Sequence, residues 1–249
     1  MTADDLWPLL ALGGAVFLGT STQRISGVGF ALVASPFLVA ILGPFNGVLV
    51  VNVFGALTAL LVLSQVFRLV EYRRAILLLV PAILAIVPGS LVALYLRSDV
   101  LSILIGTMII VALVAGLVLK EGVLFRGRLG VVLAGAVSGF MSVTAGVGGP
   151  AVTAYAVATR WPHAAFAATA QLYFFGTGVA SLSAKHTLPQ LDGYQWATCA
   201  VALGLGALAG NTIAPRVPAK AARFAVIVLA FAGAGLILTK GAVSLAGTG

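Results

Sequence analysis

Long uncharged apolar segments follow one another along this chain and limit what it can fold into. Val48–Val66, Ala75–Leu96 and Val100–Leu119 contain no charged side chain, and each is close to the roughly 20 residues with which an α-helix crosses a bilayer. Charged residues make up 8% of the sequence and hydrophobic residues 61%, whereas a water-soluble domain has about 25% charged residues. The segments are continuously apolar rather than alternating, which excludes a membrane β-barrel. The sequence therefore predicts an all-α polytopic membrane protein.

Two glycine-rich stretches interrupt the apolar pattern at related positions. Gly27-Val28-Gly29-Phe30 lies near the N-terminus and Gly146-Val147-Gly148-Gly149-Pro150 in the middle, so that their first glycines are 119 residues apart. The same offset places Asn52 opposite Gln171. We interpret the chain as two repeats, each of which opens with a broken hydrophobic segment.

Each repeat contains about five hydrophobic segments. The first repeat, residues 1–122, opens with Leu6–Thr22 and Phe30–Leu42 and continues with the three long segments named above. The second repeat, residues 123–249, follows the same plan with Leu129–Ala145, Ala151–Thr159, Ala164–Ala184, Tyr194–Ile213 and Phe224–Thr239. The opening pieces are short for a full span, so each pair is either two short tilted helices or a re-entrant hairpin.

An odd number of segments per repeat makes consecutive repeats enter the membrane from opposite sides. The expected architecture is thus two inverted-topology repeats related by a pseudo-twofold axis in the membrane plane. In transporters of that architecture, broken helices at matching positions mark a binding site near the midplane of the bilayer.

Basic residues in the loops test this topology. With the N-terminus outside, ten fall on the inner side: Arg68, Arg73, Arg74, Lys120, Arg126, Arg128, Arg160, Arg216, Lys220 and Arg223. Three fall outside, Arg97, Lys185 and Lys240, and Arg24 is undecided. This positive-inside bias accounts for the net charge of +8 without a nucleic-acid partner. The acidic opening, Asp4-Asp5, differs from the basic start of a secretory signal, so we expect the first segment to be retained.

The acidic residues indicate the sign of a transported solute. All six are expected in termini or loops: Asp4, Asp5, Glu71, Asp99, Glu121 and Asp192. A cation pathway would be expected to place a carboxylate within the membrane, so their absence from the segments favours an anionic or neutral substrate.

The glycine breaks suit an anion, because a helix that starts there directs backbone N–H groups and its positive dipole end at the cavity. The candidate backbone donors are Gly27, Gly29, Gly146, Gly148 and Gly149. The candidate side-chain contacts are Asn52, Thr144, Gln171, Arg24 and Tyr173. Other readings remain open: the glycines could serve only close helix packing, Arg24 could be a cytoplasmic anchor, and Tyr173 could lie at a helix interface.

Nothing in the sequence indicates an enzyme, a metal site or a cofactor. No histidine or carboxylate lies within a predicted span to activate a serine or threonine, and His163 and His186 are expected in separate loops. Cys199 is the single cysteine, and it is read as a packing residue. No Gly-x-x-x-x-Gly-Lys-Ser/Thr loop is present, so this chain would not use ATP directly. A passive channel remains an alternative.

The glycine motifs resemble those of a known family. Gly139-Phe140, the Gly146–Pro150 stretch and Ala164–Ser183 are similar to the second-repeat signature of the TauE/SafE sulfite-exporter permeases. Gly27–Pro36 with Gly43-Pro44 is similar to the first-repeat signature, although Gly-Val-Gly-Phe stands where a richer glycine run is common.

The resemblance covers essentially the whole chain and implies a multi-pass permease of the bacterial inner membrane. The resemblance implies that such a permease moves small sulfur oxyanions, such as sulfite, or organosulfonates, and we expect export by alternating access at a site between the repeats. Import of another small oxyanion or carboxylate stays open, because the same site serves either direction.

Overall fold

The computed structural model describes residues 3–118, 127–213 and 219–246. These residues form ten α-helices, a short 3₁₀ turn at Phe67–Leu69, and no β-strand. The helices are α1 (Ala3–Ser26), α2 (Phe30–Leu42), α3 (Pro44–Val66), α4 (Tyr72–Tyr95), α5 (Ser98–Val118), α6 (Gly127–Ala145), α7 (Gly149–Ala158), α8 (His163–Lys185), α9 (Gly193–Ile213) and α10 (Ala219–Ala246). The predicted all-helical fold class is confirmed for these ranges. The repeat boundary at residue 122 and the charged residues Lys120, Glu121, Arg126 and Arg216 lie outside them.

Six of the described helices are long and apolar enough to cross a membrane, namely α3, α4, α5, α6, α9 and α10. In contrast, α2 has 13 residues and α7 has 10. At 1.5 Å per residue they measure about 20 and 15 Å, which is less than the hydrocarbon core of about 30 Å. Both helices that follow a glycine break are therefore half-length elements.

The first helix is longer than the sequence predicts. The segment expected to end near Thr22 continues as α1 to Ser26, so the polar residues before the first break are helical. Their side chains bond to other helices: the Ser21 hydroxyl donates to the carbonyl of Gly206 (3.1 Å) and the Arg24 guanidinium to Gln65 Oε1 (2.8 Å). These interhelical contacts extend the helix through a stretch that looks like a loop in the sequence.

The helices form an inner and an outer set. In the most apolar 18-residue stretch of each candidate span, the buried share is 56% for α3 and 61% for α6. The corresponding shares for α4, α5, α9 and α10 are 22–39%. The outer helices expose large apolar side chains, among them Leu84 on α4 and Val111 on α5, as expected of surfaces that face lipid. α3 and α6 therefore lie deeper inside the molecule than the other four candidate spans.

Pairs of small residues let the helices of the two halves approach closely. Gly135 and Gly139 of α6 lie against the backbone of α4 at Leu78 and Ala82, with a β-carbon on Gly139 falling 2.6 Å from the Ala82 Cα. Gly206 and Gly210 of α9 lie against α1 in the same way, with a β-carbon on Gly206 falling 2.7 Å from the Phe17 carbonyl oxygen. Small residues four apart are a common means of tight helix packing in membranes.

Replacing Gly139 by alanine is expected to destabilise the fold. The new methyl group would meet the backbone of Ala82, which can yield only if α4 moves, and overpacking of this kind costs about 1–3 kcal/mol. Thermal unfolding of the purified protein should show a lower midpoint. Gly204→Ala on α9 is the matched control, because nothing lies within 4 Å of its β-carbon position. Equal midpoints for the two variants would contradict the close approach of α4 and α6.

Several charged residues expected in loops lie within or beside helix ends. Asp99 is in the first turn of α5 with its side chain 5% exposed, and Arg97 Nη2 binds Asp99 Oδ2 at 2.9 Å. Glu71 precedes α4 and accepts hydrogen bonds from Arg74 Nε (3.1 Å) and Trp161 Nε1 (3.1 Å). His163 begins α8 rather than lying in a loop, and His186 directly follows that helix. Asp4 and Asp5 belong to the first turn of α1.

Candidate functional site

The two glycine breaks have matching backbone structure. Gly27 (φ +76°) follows α1 and Gly146 (φ +73°) follows α6, both in the left-handed region that favours glycine. Each N–H bonds back to a carbonyl four residues earlier: Gly27 to Gln23 at 2.9 Å and Gly146 to Ser142 at 3.0 Å. A left-handed glycine of this kind ends a helix. The chain then turns within three residues into a half-length helix.

The breaks face each other across the centre of the molecule. A β-carbon on Gly149 would lie 2.8 Å from Val28 Cγ1, so the second break touches the first. A cavity of about 50 Å³ lies between them, and we call it the central cavity. Its wall includes Gly29 of the first break and Gly146, Gly148 and Gly149 of the second. The elements that surround it are α1, α2, α3, α6, α7 and α8.

The starts of α2 and α7 both lie in this wall. No side chain caps either helix, at Gly29 or at Gly148. The first N–H groups of a helix have no partner within it, and together with the helix dipole they form a favourable place for an anion. Pro150, in the first turn of α7, suits a helix start because it has no N–H to satisfy.

The side chains in the wall are polar or apolar but uncharged. Four of them carry hydrogen-bonding groups: Gln23, Asn52, Ser142 and Thr177. The Asn52 side chain is 4% exposed, and its Nδ2 has no hydrogen-bond partner within the described residues. A buried amide donor without an acceptor is unfavourable, so Asn52 offers a free donor at the cavity.

Gln171, which stands 119 residues after Asn52 in the sequence, has a different environment. Gln171 is fully buried and does not line the cavity. Its Nε2 donates to the carbonyls of Gly27 (2.7 Å) and Ala167 (2.9 Å), and its Oε1 accepts from Gln23 Nε2 (2.8 Å). Gln171 therefore positions the first break and holds Gln23, which does line the cavity. Gly27 does not line the cavity, and its carbonyl accepts the hydrogen bond from Gln171 behind the cavity wall.

Three further predicted site residues lie away from the cavity wall. The Thr144 hydroxyl donates to the Phe140 carbonyl at 2.7 Å, and Arg24 bonds to Gln65 as described above. Tyr173 is 1% exposed and packs in a core cluster with Ala170 and Val131. The structure thus brings five of the ten predicted residues to the cavity: Gly29, Asn52, Gly146, Gly148 and Gly149.

Part of the cavity wall was missed by the sequence analysis. Gly55 of α3 and Phe174, Thr177 and Gly178 of α8 line it. Gly55 and Phe174 are themselves 119 residues apart, and Thr177 stands 119 residues after Thr58. The repeat offset carried a signal for these positions, but only the packing of α3 against α8 shows which of them reach the cavity.

The described residues contain no group of three or more histidine, cysteine, aspartate and glutamate side chains close enough to hold a metal ion. Within the part of the chain that the structure describes, none of those residue types lines the central cavity. The arrangement can bind a small solute through backbone and amide donors.

Six candidate spans and two half-length helices that meet at a central cavity are typical of multi-pass membrane transporters. A family model described as Sulfite exporter TauE/SafE matches residues 11–237. The chain belongs to this family, which confirms the resemblance drawn from the glycine motifs. No curated protein and no solved structure matches the chain significantly.

Proposed function

We propose that this protein is a secondary transporter that exports a small anion, sulfite or a small organosulfonate, by alternating access at the central cavity. The observation that carries the proposal is the meeting of two uncapped helix starts, α2 at Gly29 and α7 at Gly148, in one cavity. Helix N-termini bind oxyanions through backbone N–H groups. The family description, a sulfite exporter, names an anion of this kind.

The proposed site offers uncharged hydrogen-bond donors rather than charged side chains. The backbone at Gly29, Gly146, Gly148 and Gly149 and the free Asn52 amide would contact the anion. Among the described residues, no acidic side chain lines the cavity to repel an anion, and no basic one does so to hold it tightly. A transporter must release its substrate, and uncharged donors allow binding without a deep energy minimum.

The cavity size favours a very small substrate. One water needs about 10–15 Å³ of such volume, so the 50 Å³ of the central cavity accommodates three to five water-sized groups. Sulfite has four non-hydrogen atoms. A sulfonate with a longer carbon chain would require α2 or α7 to move, so we expect sulfite to bind this conformation better.

Inverted repeats, residues 1–122 and 123–249, are part of the proposal. The helix pairs α2/α7 and α3/α8 each start 119 residues apart, at Phe30 and Gly149 and at Pro44 and His163. The packing is also reciprocal: α1 packs on α9 of the other half, as α6 packs on α4. Equivalent partners exchanged between halves are what a pseudo-twofold axis would produce.

The proposed setting is the bacterial inner membrane with the N-terminus outside, as the loop charges indicate. Under this orientation the Glu71–Arg74–Trp161 contacts lie at the cytoplasmic end. Gly43, Ser98 and Gln190 lie at the outer end. Rocking of the two halves about the cavity would expose the site to each side in turn.

Purified protein in proteoliposomes tests the proposal. We expect saturable flux of radiolabelled sulfite that small sulfonates compete for, and no flux of a cationic solute. Flux of the cation without saturable flux of sulfite or sulfonates would overturn the anion assignment. The alternative, an anion channel, predicts single-channel currents in planar bilayers, whereas a transporter gives none.

A further inference from the structure

Lys185, the last residue of α8, is buried and forms no ion pair with any side chain that the structure describes. The side chain is 3% exposed, and its Nζ has no hydrogen-bond partner in the part of the chain that the structure describes. The ammonium lies 5.3 Å from the centre of the Phe45 ring. A cation–π contact supplies attraction but no hydrogen-bond acceptor, and a lysine ammonium has three N–H donors. An ammonium buried in this way needs an acceptor.

A row of polar side chains runs along α8 from the central cavity towards Lys185. Thr177, which lines that cavity, is followed at helical spacing by Ser181 and Lys185. Residues four apart on a helix lie on the same face. Ser181 is fully buried, and its hydroxyl also lacks a partner within the described residues. Lys185 is seven residues beyond the cavity residue Gly178, which is about 10 Å along the helix.

A second cavity lies beside Phe45, the residue whose ring Lys185 contacts, and Lys185 itself is not part of its wall. The cavity has a volume of about 210 Å³, and we call it the end cavity. Phe45, which makes the cation–π contact with Lys185, forms part of the wall of this cavity. Thr187, two residues after Lys185 in the chain, also lines it. Asn46, Ser98 and Gln190 add polar groups to the wall.

The other charged groups nearby have partners. Asp99 binds Arg97 and the backbone N–H of Val100 (2.8 Å). Lys240 donates to the Ala40 carbonyl at 3.0 Å and is exposed. Asp192 caps the start of α9 by accepting from the N–H of Gln195 (2.8 Å). No carboxylate among them contacts Lys185, so a negatively charged ligand is the group that would complete its environment.

We propose that Lys185 and the end cavity form a second binding site for a small oxyanion, reached from the central cavity along Thr177 and Ser181. The inference rests on the proposed anion transport and extends it, because the second site would receive the anion as it leaves the first. A lysine suits this role, since its ammonium is a mobile point charge on a flexible stem. An anion passing from uncharged donors to Lys185 gains a charge-assisted hydrogen bond.

Equilibrium dialysis of the purified full chain against radiolabelled sulfite tests the proposal. We expect two equivalents bound by the unmodified protein and one by Lys185→Met. Methionine keeps the apolar stem, and replacing an unpaired buried charge by an apolar side chain is often neutral or stabilising. Lys185→Gln serves as a second variant if Lys185→Met does not fold. Lys240→Met is the matched control, a lysine at the same end of the molecule that is exposed, and it should bind two equivalents.

The stoichiometries separate the two proposals. Equal binding by the unmodified protein and Lys185→Met overturns the second site, and a single equivalent that Gly148→Ala removes leaves the central site standing. A single equivalent that Lys185→Met removes and Gly148→Ala retains supports the Lys185 site and contradicts the central one. No binding by the unmodified protein overturns both. In Lys185→Met, the affinity of the second site for sulfite should be at least about tenfold lower than in the unmodified protein.

Discussion

Replacing Gly148 by alanine is expected to lower sulfite flux by about tenfold to 100-fold, the effect of losing one or two hydrogen bonds to a charged ligand. The backbone of Gly148 (φ −88°, ψ −16°) is one that alanine adopts without strain. The obstacle is space, because the new β-carbon would lie 2.7 Å from Ser138 Oγ and 2.8 Å from the Ser138 carbonyl oxygen. The break must therefore shift, and the start of α7 shifts with it.

The shift would disturb a contact that fixes the break. The Ser138 hydroxyl donates to the Gly148 carbonyl at 2.7 Å, which ties α6 to the first residue before α7. Moving Gly148 away from Ser138 lengthens this bond and turns the N–H groups of Gly148 and Gly149 away from the cavity. Anion binding depends on where those groups point, so the flux should fall before the fold is lost.

Gly14→Ala is the control for the Gly148 variant. Gly14 lies within α1, and nothing lies within 4 Å of its β-carbon position. We expect unchanged flux and slightly higher stability, since alanine is favoured over glycine in a helix by up to about 1 kcal/mol. Flux is measured in proteoliposomes, and thermal unfolding verifies that each variant is folded. Normal flux in folded Gly148→Ala would contradict a role for this break in the site.

The elements that follow directly from hydrophobic pattern and glycine were predictable from the sequence. α2 has the predicted bounds, Phe30–Leu42, because a glycine break and Gly43-Pro44 enclose a continuous apolar run. α7 starts at Gly149, two residues before the predicted Ala151, since its first turn includes the break itself. α1 was predicted too short because interhelical bonds of Ser21, Gln23 and Arg24 hold a polar stretch in helical form. Such tertiary contacts leave no periodic signal in the sequence.

The candidate site was predictable at its backbone but not at its side chains. The glycine breaks were expected to mark one binding site, and the contact of Gly149 with Val28 brings them together. Asn52 and Gln171 are separated by the offset of 119 residues, yet one lines the cavity and the other is enclosed behind it. The longer glutamine side chain reaches Gln23 and the Gly27 carbonyl. Lys185 was interpreted as a charged residue of a loop. Its burial at the end of α8 involves Phe45 of α3, a tertiary contact that the sequence does not show.

The different environments of Asn52 and Gln171 predict opposite effects of removing each amide. Asn52→Leu is expected to leave the protein as stable as before or more stable, because it removes a buried donor that has no acceptor within the described residues. The same change should weaken sulfite binding about tenfold or more, since one donor at the cavity is lost. A substitution that raises stability and lowers ligand binding is typical of a residue whose role is to bind the ligand.

Gln171→Leu should act in the opposite direction. It removes three hydrogen bonds and leaves the Gln23 amide and the Gly27 carbonyl unpaired inside the protein. The expected loss of stability is about 1–3 kcal/mol, because polar bonds between helices in a membrane contribute modestly and unpaired buried groups are unfavourable. Sulfite binding should weaken only as far as the first break moves.

Thermal unfolding with and without sulfite measures both effects in one experiment. A ligand at 100 times its Kd stabilises the folded state by about 2.7 kcal/mol, so the unmodified protein should unfold at a higher temperature in sulfite. Asn52→Leu should start from an equal or higher midpoint and lose most of the sulfite-dependent increase. Gln171→Leu should start from a lower midpoint and retain the sulfite-dependent increase. If Gln171→Leu loses the increase and Asn52→Leu keeps it, the donor that contacts the anion is Gln171, and α8 rather than α3 presents it.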